Sequence, residues 1–300
     1  MMQFDGLRPA RLSVGIISAG RVGSALGVAL ERAEHVVVAC CAGSAESRRR
    51  ARRWLPDTRV LPAADVAAQA ELLVLAVPDT ELPTVVTGLA AAGAVRAGTI
   101  VAHTSGAGGV GVLAPLVTQG CLPLAMHPAM TFTGSDQDVD RLSGTCFGIT
   151  AADDVGYAIG ESLTLEMGGE PFRVAEDSRA LYHAALCHGG NHVVTVLNDA
   201  LVALRAALPG RVGCAEAADP DGIAERVLGP LVRAAVENAL QFGPAALTGP
   251  IARGDSAALT AHLTALGGVD PELADAYRAD ALRTARCARA AGDVASVLTR

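Results

Sequence analysis

The first half of the chain alternates short apolar runs, rich in valine and isoleucine, with alanine-rich stretches of helical spacing. Runs that are apolar along their whole length are typical of strands buried on both faces, as in parallel sheets. We predict strands over residues 12–17, 35–41, 71–77 and 99–103. The stretches between them predict helices over residues 22–32, 45–54 and 82–92. This alternation predicts an α/β domain built on a doubly wound parallel sheet.

The pattern changes near residue 175, where the strand signals end. Before that point we predict further strands over residues 122–126, 146–150 and 171–174, with a helix over residues 154–167. After it we predict helices alone, over residues 176–208, 223–242, 256–266 and 271–291. A chain of 300 residues exceeds the usual size of one core, so two domains are expected. We predict an α/β domain over residues 12–175 and an all-α domain over residues 176–300, preceded by a disordered leader over residues 1–11.

Charge and composition narrow the class of partner. The chain holds 24 basic against 31 acidic side chains, a formal net charge of −7, and every basic residue is arginine because the sequence contains no lysine. A net negative chain lacks the clustered positive charge that nucleic acids and anionic membranes attract. No apolar run reaches the roughly 18 residues of a membrane span, and the first residues lack the features of a signal peptide. We therefore predict a cytoplasmic protein that binds small molecules, with neither nucleic acid nor membrane as a partner.

Metal and disulfide chemistry is not indicated by the sequence. The seven cysteines are odd in number, scattered and without C-x-x-C spacing, which is typical of reduced thiols. His188 and His192 have a helical i,i+4 spacing, with Asp199 further along, but no glutamate accompanies them as in the H-E-x-x-H motif of zinc enzymes. We predict no metal site.

The first predicted strand runs into the segment S-A-G-R-V-G at residues 18–23. This segment resembles the dinucleotide fingerprint G-x-G-x-x-G, with serine at the first glycine position. Bare backbone at Gly20 lets a pyrophosphate approach the amides of a helix N-terminus, and Gly23 permits close packing of helix on strand. The predicted dinucleotide contacts are Ser18, Gly20, Arg21, Val22 and Gly23. A turn with a purely structural role is the alternative.

The end of the second strand indicates which dinucleotide is bound. NAD sites place an acidic residue there, about 20 residues beyond the glycine loop, on the ribose hydroxyls. This chain has no acid at that place; Ser44 and Arg48 follow the strand and offer a hydroxyl and a guanidinium to a 2′-phosphate. We predict NADP(H) as the cofactor, with Ser44 and Arg48 as contacts. The alternative is that the arginines of residues 48–53 form a solvated helix face, which we favour for Arg50 and Arg53.

Polar residues also follow the next two predicted strands. Ligands of open parallel sheets bind outside the carboxyl ends of the strands, so these loops are expected to frame the nicotinamide. We predict cofactor contacts at Val77, Pro78 and Thr104. His103 and Ser105 are predicted catalytic residues, because polar residues that close an apolar strand have no packing reason to be there.

Several motifs together resemble one family. They are the glycine loop, V-P-D at 77–79, H-T-S-G at 103–106, H-P at 127–128, Y-H-A-A at 182–185 with Asn191, and L-T-G-P at 247–250 with R-G-D at 253–255. The family consists of uncharacterised bacterial proteins that pair a Rossmann-like domain with a helical C-terminal domain of unknown function. The resemblance covers roughly residues 11–291. More distantly, the chain is similar to pyrroline-5-carboxylate reductase, ketopantoate reductase and the β-hydroxyacid dehydrogenases.

The resemblance implies a Rossmann-type NADP-dependent oxidoreductase fold that forms a homodimer through its helical domains. It also implies an active site in the cleft between the domains, bordered by the segment that contains Arg253. We predict that His127 and Arg253 bind the substrate; the alternative for the Arg253 segment is a helix-breaking turn followed by a helix cap. The resemblance does not supply the identity of that substrate.

The absence of lysine separates this chain from its distant relatives. β-Hydroxyacid dehydrogenases and ketopantoate reductase rely on a lysine in the first long helix after the Rossmann domain, where this chain has Arg179, Tyr182, His183 and Asn191. Arginine does not deprotonate at working pH, so it cannot replace lysine as a proton donor. In any reduction a histidine or a tyrosine must therefore donate the proton.

Helical geometry, at about 100° per residue, places His183 and Asn191 on one face of that helix. The predicted reaction is hydride transfer to a carbonyl or imine carbon of a small carboxylate metabolite. His183 is the predicted proton donor, with Tyr182 or His103 as the alternative; Asn191 holds the substrate oxygen, and His103 and Ser105 orient it. The alternative function is an NADP(H)-binding sensor without chemistry, because a missing lysine is also what a retired active site would have.

Overall fold

The computed structural model describes residues 11–208, 222–289 and 293–299. The predicted leader lies outside the described residues, apart from Arg11. The chain forms two compact units, of which the first ends at His188 and the second begins at Gly189. The strand pattern of the sequence ends near residue 175, whereas the boundary between the two compact units lies within the long helix that follows.

The first unit follows the predicted alternation of strands and helices. Its first part consists of β1 (Ser13–Ile17), α1 (Arg21–Arg32), β2 (Val36–Cys41), α2 (Ala45–Trp54), β3 (Arg59–Val60), α3 (Ala63–Ala67), β4 (Leu72–Leu75), α4 (Leu82–Ala91) and β5 (Ile100–His103). It continues with α5 (Ala114–Val117), β6 (Leu122–Pro128), α6 (Gln137–Leu142), β7 (Cys146–Ala151), α7 (Asp154–Glu166) and β8 (Glu170–Arg173). The pair β3 and α3 was not predicted, because two and five residues are too few to establish a period.

The strands form one sheet of eight in the order β3-β2-β1-β4-β5-β6-β7-β8. The pairs from β3 to β6 are all parallel, so their carboxyl ends meet at one edge of the sheet. The strand β7 runs antiparallel to β6. The α/β prediction is therefore confirmed, with one reversal near the end of the sheet that apolar patterning alone does not reveal.

Alternate residues of the central strands pack on opposite faces of the sheet. Val14, Ile16 and Val74 belong to a buried apolar cluster on one face. Leu73 and Leu75 belong to the cluster on the other face. This period of two, with both faces buried, explains why these strands are apolar throughout.

Past the sheet the described chain is helical, as predicted. The elements are α8 (Arg179–Ala207), α9 (Ile223–Phe242), α10 (Gly249–Arg253), α11 (Ser256–Val269), α12 (Pro271–Cys287) and α13 (Asp293–Leu298). A small core joins the last three helices through Leu259, Ala281, Val294 and Leu298. In the described ranges, no helix is both long enough and apolar enough to cross a membrane.

Candidate functional site

The loop between β1 and α1 borders a groove at the carboxyl edge of the sheet. Gly20 is the N-cap residue of α1 and has extended backbone, so the first amides of the helix are not used within the helix. The groove has a volume of about 560 Å³, which lies in the range of small-molecule sites. Six of the predicted cofactor residues line it: Ser18, Gly20, Arg21, Ser44, Val77 and Pro78.

Two residues of the glycine loop show why it has this shape. Ser18 has φ of +76°, in the left-handed region that glycine occupies without strain, so it adopts the turn conformation expected of the first glycine of the fingerprint. A Cβ atom at Gly23 would lie 2.1 Å from the carbonyl oxygen of Ser18. No side chain fits at Gly23 without a shift of the backbone. This agrees with the close packing of helix on strand that the sequence indicated.

The arginine that lines the groove from α2 is not the one that the sequence favoured. Arg50 lines the groove from α2, with a side chain 12% exposed and Nη2 2.6 Å from Oε1 of Glu46. Arg48 does not line it: Nη1 of Arg48 donates to the carbonyl oxygens of Gly43 (2.8 Å) and Ala42 (3.3 Å). The structure thus brings Arg50, which sequence reasoning assigned to a solvated face, to the groove beside Arg21.

Ser44 has a local structural partner as well as a place in the groove. Its hydroxyl accepts a hydrogen bond of 3.0 Å from the amide of Ser47, and the Ser47 hydroxyl accepts from the amide of Ser44. This reciprocal capping box fixes the start of α2.

Residues 134–136, which carry no sequence motif, pack beside Arg21 and Arg50. A Cβ atom at Gly134 would come within 3.3 Å of both Arg21 and Arg50. Asp136 attaches the segment to α2, because it accepts from Nη2 of Arg53 (2.5 Å) and from Nε1 of Trp54 (3.1 Å). The sequence shows no sign of these contacts, because the residues that α2 contributes to them are more than 80 positions away in the chain.

His103 and Ser105 occupy a different environment from the one predicted for catalytic groups. His103 is fully buried; Nε2 lies 3.0 Å from the carbonyl oxygen of Gly109, and Nδ1 accepts from the amide of Ser105. Burial lowers the pKa of His103 to about 4, so the ring is neutral near pH 7. The Ser105 hydroxyl accepts from the amide of Gly108 at 2.8 Å. Both side chains thus shape the loop after β5.

Arg179, at the start of α8, holds that loop in place. It is 1% exposed; Nε donates to the carbonyl oxygen of Gly108 (2.9 Å), Nη1 to that of Gly148 (3.0 Å) and Nη2 to that of Ser105. No salt bridge of Arg179 is found in the described ranges, so its direct partners are backbone carbonyls. The carboxylates of Glu176 and Asp79 act on its charge from a longer distance.

Three aromatic side chains lie together where β6 ends and α8 begins. Oη of Tyr182 is 2.9 Å from Nδ1 of His127, and the His127 ring centroid is 5.8 Å from that of His183. Burial, assisted by the positive charge of Arg179, lowers the pKa of His127 to about 4. Burial raises the pKa of Tyr182, while Arg179, whose guanidinium carbon is 5.6 Å from the phenol ring centroid, opposes that shift. The cluster combines a neutral imidazole with a protonated phenol near a fixed positive charge.

The other predicted residues have separate positions. Val22 packs partly against the core of the sheet, and Thr104 borders a small apolar cavity with Leu26 and Met126, not the groove. Asn191 and Arg253 belong to the second unit and are exposed, and their substrate roles stay predictions. Within the described residues, no group of three or more His, Cys, Asp or Glu side chains is placed to hold a metal ion.

A parallel sheet with a glycine loop at its carboxyl edge, followed by helices alone, defines a Rossmann-like protein with a helical C-terminal domain. Two family models match the chain accordingly: a Rossmann-like domain over residues 2–128 and a domain of unknown function, DUF2520, over residues 145–284. The chain therefore carries a Rossmann-like domain followed by a DUF2520 domain, the pairing that the sequence motifs indicated. None of the curated proteins matches it.

Solved structures share the fold across nearly the whole chain. A candidate NADP oxidoreductase from Bacteroides fragilis has a TM-score of 0.74 at 19% identity, over 92% of this chain and 98% of that one. A reductive aminase from Aspergillus terreus, in complex with NADPH and ethyl-5-oxohexanoate, has a TM-score of 0.65 at 18% identity, over 97% and 99%. Pyrroline carboxylate reductase from Plasmodium falciparum, with NADP bound, has a TM-score of 0.56 at 11% identity, over 94% and 100%.

Proposed function

We propose that this protein is an NADP(H)-dependent oxidoreductase that reduces a carbonyl or imine of a small carboxylate metabolite. The observation that carries the proposal is the juxtaposition, along one edge of a parallel sheet, of a glycine-loop groove and a polar cluster. The groove lies at the ends of β1, β2 and β4, and His127 lies near the end of β6. Ligands of this fold bind along that edge. The bound cofactors of the Aspergillus terreus and Plasmodium falciparum structures support the choice of NADP(H).

The residues of the groove fit a dinucleotide phosphate. Gly20 leaves the N-terminal amides of α1 uncovered, which suits a pyrophosphate. Arg21 and Arg50 add two guanidinium groups, and Ser44 and Ser47 place the start of a second helix in the same groove. Glu46 and Glu81 also line the groove, and the carboxylate of Glu46 is compensated by Arg50. We assign the 2′-phosphate to Arg50, because its side chain lies in the groove and that of Arg48 bonds to backbone.

Arg50→Gln is expected to weaken NADPH binding by about tenfold or more while leaving NADH binding within about twofold, since a charge-assisted bond to phosphate is worth about 1.5–3 kcal/mol. Fluorescence titration of both cofactors measures this. Arg48→Gln is the matched control, expected to change neither affinity by more than about twofold. Selective loss of NADPH affinity in Arg48→Gln would return the 2′-phosphate to Arg48, and equal affinities of the unaltered protein for both cofactors would contradict the choice of NADP(H).

The proton chemistry is assigned to Tyr182. When bound, NADPH supplies the hydride. A carbonyl or imine that gains hydride must gain a proton, and His103 is excluded as its source because both ring nitrogens are bonded to backbone. Tyr182 keeps its proton near pH 7, and its phenolate would be stabilised by Arg179 and by an Nδ1 proton of His127. To His183, the donor that the sequence favoured, we assign the role of positioning the substrate.

We also propose that the helical unit pairs with a second copy of the chain. Of the twenty residues of α9, Ala224 alone is buried, and one face of the helix exposes Val227 (52%), Leu231 (63%) and Phe242 (55%). Each large apolar side chain gains about 1.5–3 kcal/mol when it is buried, so an amphipathic helix exposed in this way favours association.

Light scattering is expected to give a mass near twice the 30.4 kDa of the chain. The double variant L231E/F242E is expected to shift the protein to monomer, because both positions lie on one face of α9 and the variant would bury two charges in the proposed interface. Gln241→Glu, which adds a charge at an exposed polar position of the same helix, is the control and should remain dimeric. A monomeric unaltered protein would contradict the proposal.

A further inference from the structure

A thiol and an imidazole face each other on consecutive turns of α8. Sγ of Cys187 lies 3.5 Å from Nε2 of His183, and both side chains are partly exposed. A nucleophile in hydrogen-bond contact with a base is the arrangement from which covalent catalysis and covalent modification start. Neither the proposed cofactor groove nor the Tyr182 cluster uses this thiol.

The other described cysteines have different surroundings. Cys40 and Cys121 are buried; burial raises the pKa of Cys121, and burial with the neighbouring Cys41 raises the pKa of Cys40 to about 11. Cys146 is exposed, and its Sγ lies 3.8 Å from a carboxylate oxygen of Glu170. Among the cysteines that the structure describes, Cys187 is the one placed against an imidazole.

The position of the pair indicates which reactant it would meet. The His183 ring packs against the loop at Gly106 and edge-on to His127, whose Nδ1 bonds the hydroxyl of Tyr182. The thiol lies one helical turn beyond His183, on the same face of α8. A carbon electrophile that reaches the His183 ring therefore meets both the thiol and its base, and a thiol is suited to the β-carbon of an α,β-unsaturated carbonyl compound.

We propose that Cys187 and His183 form a nucleophilic pair that adds covalently to α,β-unsaturated carbonyl compounds. Nε2 of His183 takes the thiol proton, and a bond forms between Sγ and the β-carbon. The π electrons of the double bond move to the carbonyl, and the resulting enolate is protonated at the α-carbon by His183. The adduct contains all atoms of both reactants, so no oxidant, reductant or NADP(H) takes part, and the addition is independent of the proposed reductase activity.

Site-resolved labelling with N-ethylmaleimide, itself an α,β-unsaturated carbonyl compound, tests the proposal on the full chain. Because the chain has no lysine, trypsin releases residues 180–205 with Cys187 as the single cysteine and residues 142–173 with Cys146 as the single cysteine. At pH 7 and without cofactor, mass spectrometry is expected to find Cys187 labelled roughly tenfold faster than Cys146. His183→Gln, which keeps a polar side chain without a base, is expected to remove that advantage.

His188→Gln is the control, since it removes an imidazole next to Cys187 in sequence and should leave both labelling rates within about twofold. The Cys146 rate in each variant, together with a thermal melt, reports whether the fold is retained. Labelling of Cys187 no faster than that of Cys146, or an unchanged rate in His183→Gln, would overturn the proposal. The labelling needs no turnover, so its failure is distinct from a failure to find a reductase substrate.

Discussion

Tyr182→Phe is expected to lower kcat for NADPH-dependent reduction by about 10²–10³-fold, because the variant lacks the one phenolic proton that lies next to His127 and Arg179. The affinity for NADPH should stay within about twofold, since Tyr182 does not line the cofactor groove. Absorbance of NADPH follows the reaction with a panel of 2-oxo acids, β-keto acids and cyclic imines. Oxidation with no member of the panel, while NADPH still binds, would favour a sensor without chemistry.

Tyr157→Phe is the matched control for this experiment. Tyr157 lies on α7, where its ring packs against the guanidinium of Arg173, so loss of its hydroxyl should leave kcat within about twofold. Comparing kcat of Tyr182→Phe with kcat of His183→Ala distinguishes Tyr182 from His183 as the proton donor. A large loss of kcat in His183→Ala together with a small loss in Tyr182→Phe would contradict the assignment of Tyr182 and restore His183.

Gly23→Ala is expected to weaken NADPH binding by at least about tenfold and to lower the free energy of unfolding by about 2–3 kcal/mol. The added Cβ would lie 2.1 Å from the Ser18 carbonyl oxygen, so the glycine loop must move away from α1 to admit it. That movement withdraws the backbone from the phosphate position. Fluorescence titration and denaturant unfolding measure the two effects.

Gly43→Ala provides the control at the same groove. Gly43 also lines the groove, but nothing lies within 4 Å of a Cβ atom added there, so both quantities should stay close to those of the unaltered protein. Equal NADPH affinities in the two variants would contradict the role of close backbone approach at Gly23.

The sequence predicted the position of the groove, but not which of the α2 arginines lines it. The pattern at residues 18–23 predicted a turn after β1, and the structure places Ser18 in the left-handed conformation that such a turn requires. The choice between Arg48 and Arg50 was not available from spacing, because both lie in the first turns of α2. It depends on backbone carbonyls at Ala42 and Gly43, which bond to Arg48.

His103 illustrates the same limit in the polar cluster. A histidine that closes an apolar strand has the appearance of a catalytic group, yet its two ring nitrogens are used by the backbone of residues 105 and 109. The carbonyl contacts of Arg179 span 31 to 74 residues, so no local pattern reveals them. Sequence reasoning noted Arg179 as a replacement for lysine and missed its role as the residue that holds the loop.

By itself, the sequence determined the α/β class, the order of most elements, the change to helices after residue 175 and the glycine loop. These follow from local periodicity and from the steric needs of single residues, both of which depend on short stretches of the sequence. The tertiary structure alone decided that β7 reverses, that Arg50 reaches the groove and that His127, Tyr182 and His183 meet. The reversal of β7 and the meeting of His127 with Tyr182 and His183 depend on contacts between segments distant in the chain, and the choice of Arg50 depends on backbone carbonyls that bond Arg48. In each case the partners of a group, and not its residue type, determine its role.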